Sequence, residues 1–153
     1  MSIAQIVEKD RLQIDAEASS KKRALERLSE LMATGVADTS AGKVFDSLLV
    51  RERLGSTGFG NGVAIPHARH PGATSAVGAF MRLAAPVDFD AMDSEPVDLV
   101  FGLLVPEEST QEHVELLGEL AELFEDKTLR ESLRNASDTD EVFTLLTSAA
   151  PHT

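Results

Sequence analysis

The chain of 153 residues contains no cysteine, tryptophan or tyrosine. Without cysteine, it has no disulfide, thiolate zinc site or cysteine nucleophile. No apolar run approaches the roughly 18 residues of a membrane-spanning helix, and no export leader is recognisable, so we expect a cytoplasmic protein. Length and composition suit a single domain over residues 1–153, with a core from about residue 12 to residue 148.

Basic residues are scarce in the second half of the chain. Residues 1–85 carry 11 basic and 9 acidic side chains, whereas residues 86–153 carry 3 basic and 17 acidic ones. This acidity disfavours nucleic acid as a partner, because it repels phosphodiester backbones. It is compatible with a basic protein partner, and equally with a solvated surface that only favours solubility.

Proline is absent before Pro66, and glycine is rare before Gly55. We therefore expect the first 54 residues to be largely helical. Apolar spacing predicts one helix that ends at a C-cap glycine, Gly35, and a second that begins at about Ser40 and ends before Gly55.

The middle of the chain has the pattern of short strands. Residues 55–62 hold four glycines, a density that argues against regular structure. Residues 63–66 predict a short strand that stops at a proline. The apolar run 97–105 predicts a central strand covered on both faces. Residues 76–84 alternate like another strand, with one face formed by Val77, Ala79, Met81 and Leu83.

Helices are predicted again after Pro106. Ser109 begins a capping-box pattern that predicts a helix to about Glu125. Its predicted inward residues are Val114, Leu117, Leu120, Ala121 and Phe124. Leu129 and Leu133 indicate a short helix, and Asp138 resembles the N-cap of a last one. This order of elements predicts an α/β domain with a small mixed sheet.

The segment from residue 58 to His67 is the most suggestive of chemistry. Closely spaced glycines let backbone N–H groups approach an anion, and Pro66 fixes the backbone just before His67. The spacing matches neither a P-loop nor a dinucleotide fingerprint, so we expect no nucleotide. On these residues alone, a plain turn followed by a surface histidine remains open.

The chain has three further histidines. His113 borders the apolar face of its helix, either as a core-edge histidine or as a hydrogen-bond donor aimed at a charge on His67. Its place in the first helical turn is expected to lower its pKa. His70 is expected in a solvent-facing loop and His152 in a disordered tail.

Arg51 is predicted to end the second helix, just before the glycines. Its role is open between two interpretations. In the structural one it interacts with the helix dipole or forms a surface ion pair. In the functional one its guanidinium binds phosphate oxygens. A metal site that combines His67, His70 and His113 is disfavoured, because no ligand pair has the spacing of a metal motif. We expect neither a metal nor a cofactor.

Residues 51–68 (RERLGSTGFGNGVAIPHA) resemble the active-site segment of the type-2, mannitol/fructose-like enzyme IIA domains of the bacterial phosphoenolpyruvate-dependent phosphotransferase system. The resemblance is strongest to their free-standing, nitrogen-type regulatory members. It extends through residues 89–106, 111–113 and 126–128. It implies a mixed β-sheet flanked by α-helices on both faces.

The resemblance also implies roles for individual residues. His67 would be the phosphohistidine nucleophile, modified at Nε2, with Arg51 as the phosphoryl-stabilising group and His113 as a hydrogen-bonding partner. A phosphate-binding loop would comprise Thr57, Gly58, Gly60 and Gly62.

The donor implied by the resemblance is an HPr-like phosphocarrier of the NPr type. The implied targets are regulated proteins such as potassium-transport or sensor-kinase systems. Two alternatives remain open. One is a sugar-type IIA that passes its phosphate to a IIB transport subunit, and the other is a regulatory binding module that is never phosphorylated.

Overall fold

A computed structural model of the chain describes residues 2–148. In this range the strands are β1 (Leu12–Ala16), β2 (Gly58–Gly60), β3 (Val63–Ala64), β4 (His67–His70), β5 (Val77–Val87) and β6 (Val97–Pro106). The α-helices are α1 (Ile3–Ile6), α2 (Lys21–Ala33), α3 (Ala41–Glu52), α4 (Gln111–Glu125), α5 (Lys127–Asn135) and α6 (Thr139–Ser148). None of the described helices is long and apolar enough to cross a bilayer.

Strand β6 lies at the centre of a mixed sheet of order β1-β5-β6-β3-β2. It runs antiparallel to β5 and parallel to both β3 and β4. Strands β3 and β4 follow one another along the same edge of β6. The interruption between them contains Pro66, which has no N–H to donate. The predicted central strand and the predicted short strand before Pro66 are confirmed, and pairing resumes at His67.

Helices cover both faces of the sheet, as the resemblance implies. Helices α2 and α3 pack on the face of β5 that carries Val77, Ala79, Met81 and Leu83, so that predicted face is confirmed. Helices α1, α4, α5 and α6 pack on the opposite face, around Phe80, Phe101 and Phe124. The resulting two apolar layers are the pattern expected for an α/β fold.

The first 54 residues are less helical than predicted. Strand β1 lies there and pairs in parallel with β5. Its five residues include polar Gln13 and Asp15, so its apolar pattern is weak. Gly35 is not a left-handed cap, because its φ is not positive; α2 ends at Ala33, with Thr34 as a right-handed C-cap. A Cβ at Gly35 would meet Val77 at 2.7 Å and the Arg11 guanidinium at 3.0 Å, so close packing requires this glycine.

The glycine-rich segment is also more regular than predicted, because Gly58–Gly60 forms β2 and pairs with β3. A Cβ at Gly58 would lie 2.7 Å from the Cβ of Ala91. Tight packing against a neighbouring loop therefore accounts for this glycine.

The capping box predicted at Ser109 is wrong. The N-cap of α4 is Thr110, which makes no side-chain cap hydrogen bond. Val114, predicted inward, is 70% exposed, whereas Leu116 and Leu123 are buried. The buried residues of α4 are Leu116, Leu120, Leu123 and Phe124, so its apolar face is rotated from the predicted one. The predicted short helix at α5 is confirmed, and so is the cap at Asp138, whose carboxylate accepts from the N–H of Glu141 at 2.8 Å.

Candidate functional site

His67 is the first residue of β4, and its imidazole is half-buried. Its Nδ1 lies 2.7 Å from the carbonyl oxygen of Ile65. A carbonyl can only accept, so Nδ1 carries the proton and the neutral ring has its lone pair on Nε2. Pro66 fixes the backbone between the two residues and so favours this contact. The local sequence therefore selects Nε2 as the nucleophilic nitrogen.

His113, in the first turn of α4, meets His67 edge-on. The ring centroids are 5.5 Å apart and the ring planes are inclined by 75°. Its Nε2 is buried and forms no hydrogen bond with any residue of the described range 2–148. Buried polar nitrogens nearly always have a partner. This nitrogen is therefore suited to bind an atom held at His67.

Two arginines border the same cleft. Arg51, in the last turn of α3, donates from Nη1 to the carbonyl of Gly55 at 2.8 Å. Arg69 follows His67 by two residues in β4 and donates from Nε to the carbonyl of Ser109 at 3.0 Å. Neither guanidinium forms an ion pair with a carboxylate of the described residues. Both positive charges are thus available to an anion.

The cleft has a volume of about 330 Å³. Its lining consists of Ser47, Val50, Arg51, Leu54, His67, Ala68, Arg69 and His113. These residues come from the end of α3, the start of β4 and the first turn of α4. Three predicted site residues, Arg51, His67 and His113, are therefore brought together from distant parts of the chain.

Burial and positive charge keep both histidines neutral. Burial is the main cause that lowers the pKa of His67, and the Arg51 charge adds to it, although the Ile65 carbonyl and Glu52 oppose it. The pKa of His113 is lowered first by burial and then by the charges of His67, Arg69 and Arg51. At neutral pH the Nε2 lone pair of His67 is consequently free to attack.

Thr57 and the glycines predicted for the phosphate-binding loop lie elsewhere. The backbone N–H and the hydroxyl of Thr57 both donate to buried Glu52, at 2.8 and 2.6 Å. Gly58 packs on Ala91, and Gly60 lies beside Asp93. Gly62 borders a different cavity, of about 390 Å³. None of these four residues lines the cleft around His67.

The prediction of a solvent-facing loop at His70 is wrong. His70 is the last residue of β4 and only 3% exposed. Alternation along β4 turns its side chain toward α3, where it contacts the hydroxyl groups of Ser47 on the helix and of Thr39 just before it. No group of three or more potential metal ligands was found within residues 2–148. His152 lies outside the described residues.

Residue-level reasoning missed Arg69 and Ser47. Arg69 follows His67 by two residues, which places both side chains on the same face of a strand. Ser47 precedes Arg51 by four residues, which places both side chains on the same side of a helix and so beside the cleft. The apolar residues Val50, Leu54 and Val114, exposed by 63%, 82% and 70% respectively, were also missed, since exposed apolar side chains follow from no periodic pattern.

Comparison with known proteins supports these features. The family model for the phosphoenolpyruvate-dependent sugar phosphotransferase system, EIIA 2, matches residues 5–149. The nitrogen regulatory protein of Pseudomonas aeruginosa is 44% identical over 144 residues, which are 94% of each chain.

Solved structures also resemble this chain. The nitrogen regulatory protein IIA-Ntr from Neisseria meningitidis matches with a TM-score of 0.90 and 48% identity, over 95% of this chain and 99% of that one. The mannitol IIA of Escherichia coli, at 22% identity and a TM-score of 0.75 over 92% and 98% of the two chains, shares the fold. The chain therefore belongs to the type-2 enzyme IIA family of the phosphoenolpyruvate-dependent phosphotransferase system, and its relatives include nitrogen regulatory proteins.

Proposed function

We propose that the chain accepts a phosphoryl group on Nε2 of His67 from the phosphohistidine of an HPr-like carrier of the NPr type. In this proposal it acts in the cytoplasm as a nitrogen-type regulatory IIA protein. The observation that carries the proposal is the Nδ1 contact with Ile65, which leaves Nε2 as the nucleophile in a cleft with Arg51 and His113. The similarity to nitrogen regulatory proteins supports the regulatory assignment.

The transfer step needs no cofactor. The Nε2 lone pair forms a new N–P bond as the N–P bond of the donor breaks, and the donor's ring nitrogen keeps that electron pair. The Nδ1 proton stays on His67, and the Ile65 carbonyl stabilises the positive charge that develops on the ring. Arg51 and His113 line the same cleft as His67, and we assign them as donors to the transferred oxygens, with the proton of His113 on its unpartnered Nε2. A loose transition state most needs charge neutralisation at these oxygens.

The rim of the cleft favours a protein as donor. Val50, Leu54 and Val114 are exposed apolar side chains beside or next to residues that line the cleft. A small phosphate donor would leave them in water, whereas a docked protein would cover them. The partner would thereby exclude water from the transferring group, which strengthens the contribution of Arg51.

Intact-mass measurement tests the proposal. The chain is incubated with phosphoenolpyruvate, enzyme I and the HPr-like carrier, beside His67→Ala and a matched control, His152→Ala. We expect one acid-labile phosphate on the wild type and on His152→Ala, and none on His67→Ala. If the carrier is charged but the wild type stays unmodified, the alternative of a non-phosphorylated binding module replaces this proposal.

A sugar-type role is the second candidate, favoured by the sugar phosphotransferase description of the matching family model. It predicts that the phosphorylated chain passes its phosphate to a fructose- or mannitol-type IIB subunit. The regulatory proposal predicts no such transfer, and instead phosphorylation-dependent binding to targets such as potassium-transport or sensor-kinase proteins. Mixing the phosphorylated chain with each class of partner separates the two.

A further inference from the structure

His70 is a buried histidine that the phosphoryl transfer itself does not use. Its Nδ1 lies 2.8 Å from the hydroxyl of Ser47, and its Nε2 lies 2.9 Å from the hydroxyl of Thr39. Both ring nitrogens therefore have a partner inside the protein. A neutral imidazole donates from one nitrogen and accepts at the other, and hydroxyl groups can complete either pattern.

One of the two hydroxyl groups belongs to the helix that carries Arg51, and the other lies in the loop directly before this helix. Thr39 comes directly before Ser40, the N-cap of α3. Ser47 lies one helical turn before Arg51, on the same side of the helix, and lines the cleft itself. The His70 ring thus contacts the loop that leads into α3 and the helix itself one turn before the arginine.

The other end of this connection is the strand that carries His67. His67 and His70 are the two ends of β4, and all four residues of β4 are in register with β6 from Leu103 to Pro106. Because β6 is the central strand, β4 is held firmly in the sheet. Helix α3 also packs on this face of the sheet through apolar residues such as Val44 and Leu48, and apolar contacts are not directional. The polar contacts of Glu52, at the end of α3, go to Thr57 and Lys21 and not to β4.

We propose that His70 is a positioning residue, which holds α3 against β4 so that the Arg51 guanidinium stays aligned with Nε2 of His67. The inference rests on the proposed phosphoryl transfer, and it assigns His70 no contact with the phosphate. Burial lowers the pKa of His70, which keeps the ring neutral and one nitrogen able to accept.

The first test measures transfer kinetics. A misplacement of about 1 Å can slow a reaction by roughly 100-fold, so we expect His70→Leu to lower the maximal rate of phosphorylation by about 10-fold or more. The carrier concentration at half-maximal rate is expected to rise by less than the maximal rate falls. The apolar rim contacts are not directional and tolerate a small displacement of α3 better than the guanidinium contact does. His70→Gln, which retains an amide donor and acceptor, is expected to recover part of the rate.

A double-mutant cycle distinguishes positioning from general destabilisation. If His70 acts through Arg51, His70→Leu slows the Arg51→Gln protein by less than about twofold. An equal slowing in both backgrounds overturns the proposal. Ser29→Ala is the matched control, because Ser29 is a fully buried serine of α2 whose hydroxyl bonds to Leu25. It is expected to leave the rate unchanged.

A second readout needs no phosphate. If α3 moves away, the Arg51 charge no longer lowers the pKa of His67. Titration by NMR should then show a higher His67 pKa in His70→Leu than in wild type. In a protein that already carries Arg51→Gln, adding His70→Leu should raise the His67 pKa no further. An unchanged His67 pKa in His70→Leu contradicts the positioning role, whether or not the wild type can be phosphorylated. A wild type that is never phosphorylated contradicts only the proposed function.

If His70→Leu fails to fold, a double variant that combines Ser47→Ala with Thr39→Val provides the test. This pair removes only the two hydroxyl partners. We expect it to slow phosphorylation by about 5-fold or more and to raise the His67 pKa. A wild-type rate and pKa in this variant overturn the proposal.

Discussion

Two histidines three positions apart show what a sequence reveals about single residues. His67 follows a proline, and its local contact with Ile65 lies two residues away, so nearby sequence suffices to place it. The burial of His70 depends on α3 packing across β4, an arrangement that no local pattern contains. Local chemistry could therefore be predicted here, and tertiary contact could not.

The charge of Arg51 should be measurable as a shift in the titration of His67. NMR is expected to give His67 a pKa below the ordinary 6.5, chiefly because of burial and secondarily because of Arg51. Arg51→Gln removes that positive charge and should raise the pKa of His67. Arg53→Gln, two positions further along, is the matched control and should leave it unchanged. Equal shifts in both variants would show that the arginine identified at the cleft is not the one that acts.

At the scale of elements, the sequence predicted those with a strong pattern. Helices α2 and α3 begin after serine N-caps and have clear apolar stripes, and β6 is an apolar run between prolines. Strand β1 was missed because it is short and partly polar, and it forms only by pairing with β5. The apolar phase of α4 was misjudged because apolar residues also occupy its exposed side, where Val114 lies next to His113.

The end of α3 depends on a buried carboxylate. Glu52 is 7% exposed and accepts from the N–H and hydroxyl of Thr57 and from Nζ of Lys21, the last at 2.8 Å. These contacts join α3 to α2 and to the following loop, directly after Arg51. Glu52→Ala leaves a buried N–H and an ammonium without their acceptor, so we expect a loss of about 2 kcal/mol or more in the free energy of unfolding.

Urea unfolding followed by far-UV circular dichroism measures this loss, since the chain has no tryptophan or tyrosine. The matched control is Glu26→Ala on α2, whose ion pair with Arg23 is exposed to water. We expect it to change the unfolding free energy by no more than about 0.5 kcal/mol. Similar losses in both variants would mean that the Glu52 contacts contribute no more than a surface pair.

At the scale of the whole molecule, the site assembles from segments that are far apart in sequence. Arg51 lies on α3 and His113 on α4, two helices that cover opposite faces of the sheet, and His67 lies on strand β4 within it. Periodicity predicted the layers but not this convergence, because it carries no information on which element ends meet. The resemblance of residues 51–68 and 111–113 to a known family supplied that information, and the structure places these three residues in one cleft.

The three described histidines couple the stability of the whole fold to pH. Burial is the largest cause that lowers the pKa of His67, His70 and His113 from the ordinary 6.5. Between the lowered values and 6.5, the unfolded chain binds more protons than the folded one, so the free energy of unfolding must fall as pH decreases through this window. Urea unfolding at pH 7.5, 6.5 and 5.5 should show a progressive loss, and His67→Ala should show a smaller one because it removes one of the three groups. An unfolding free energy that is constant or rises toward pH 5.5 would mean that these rings accept protons in the folded protein as readily as in the unfolded chain. Nε2 of His67 would then be protonated for much of the time near pH 6.5.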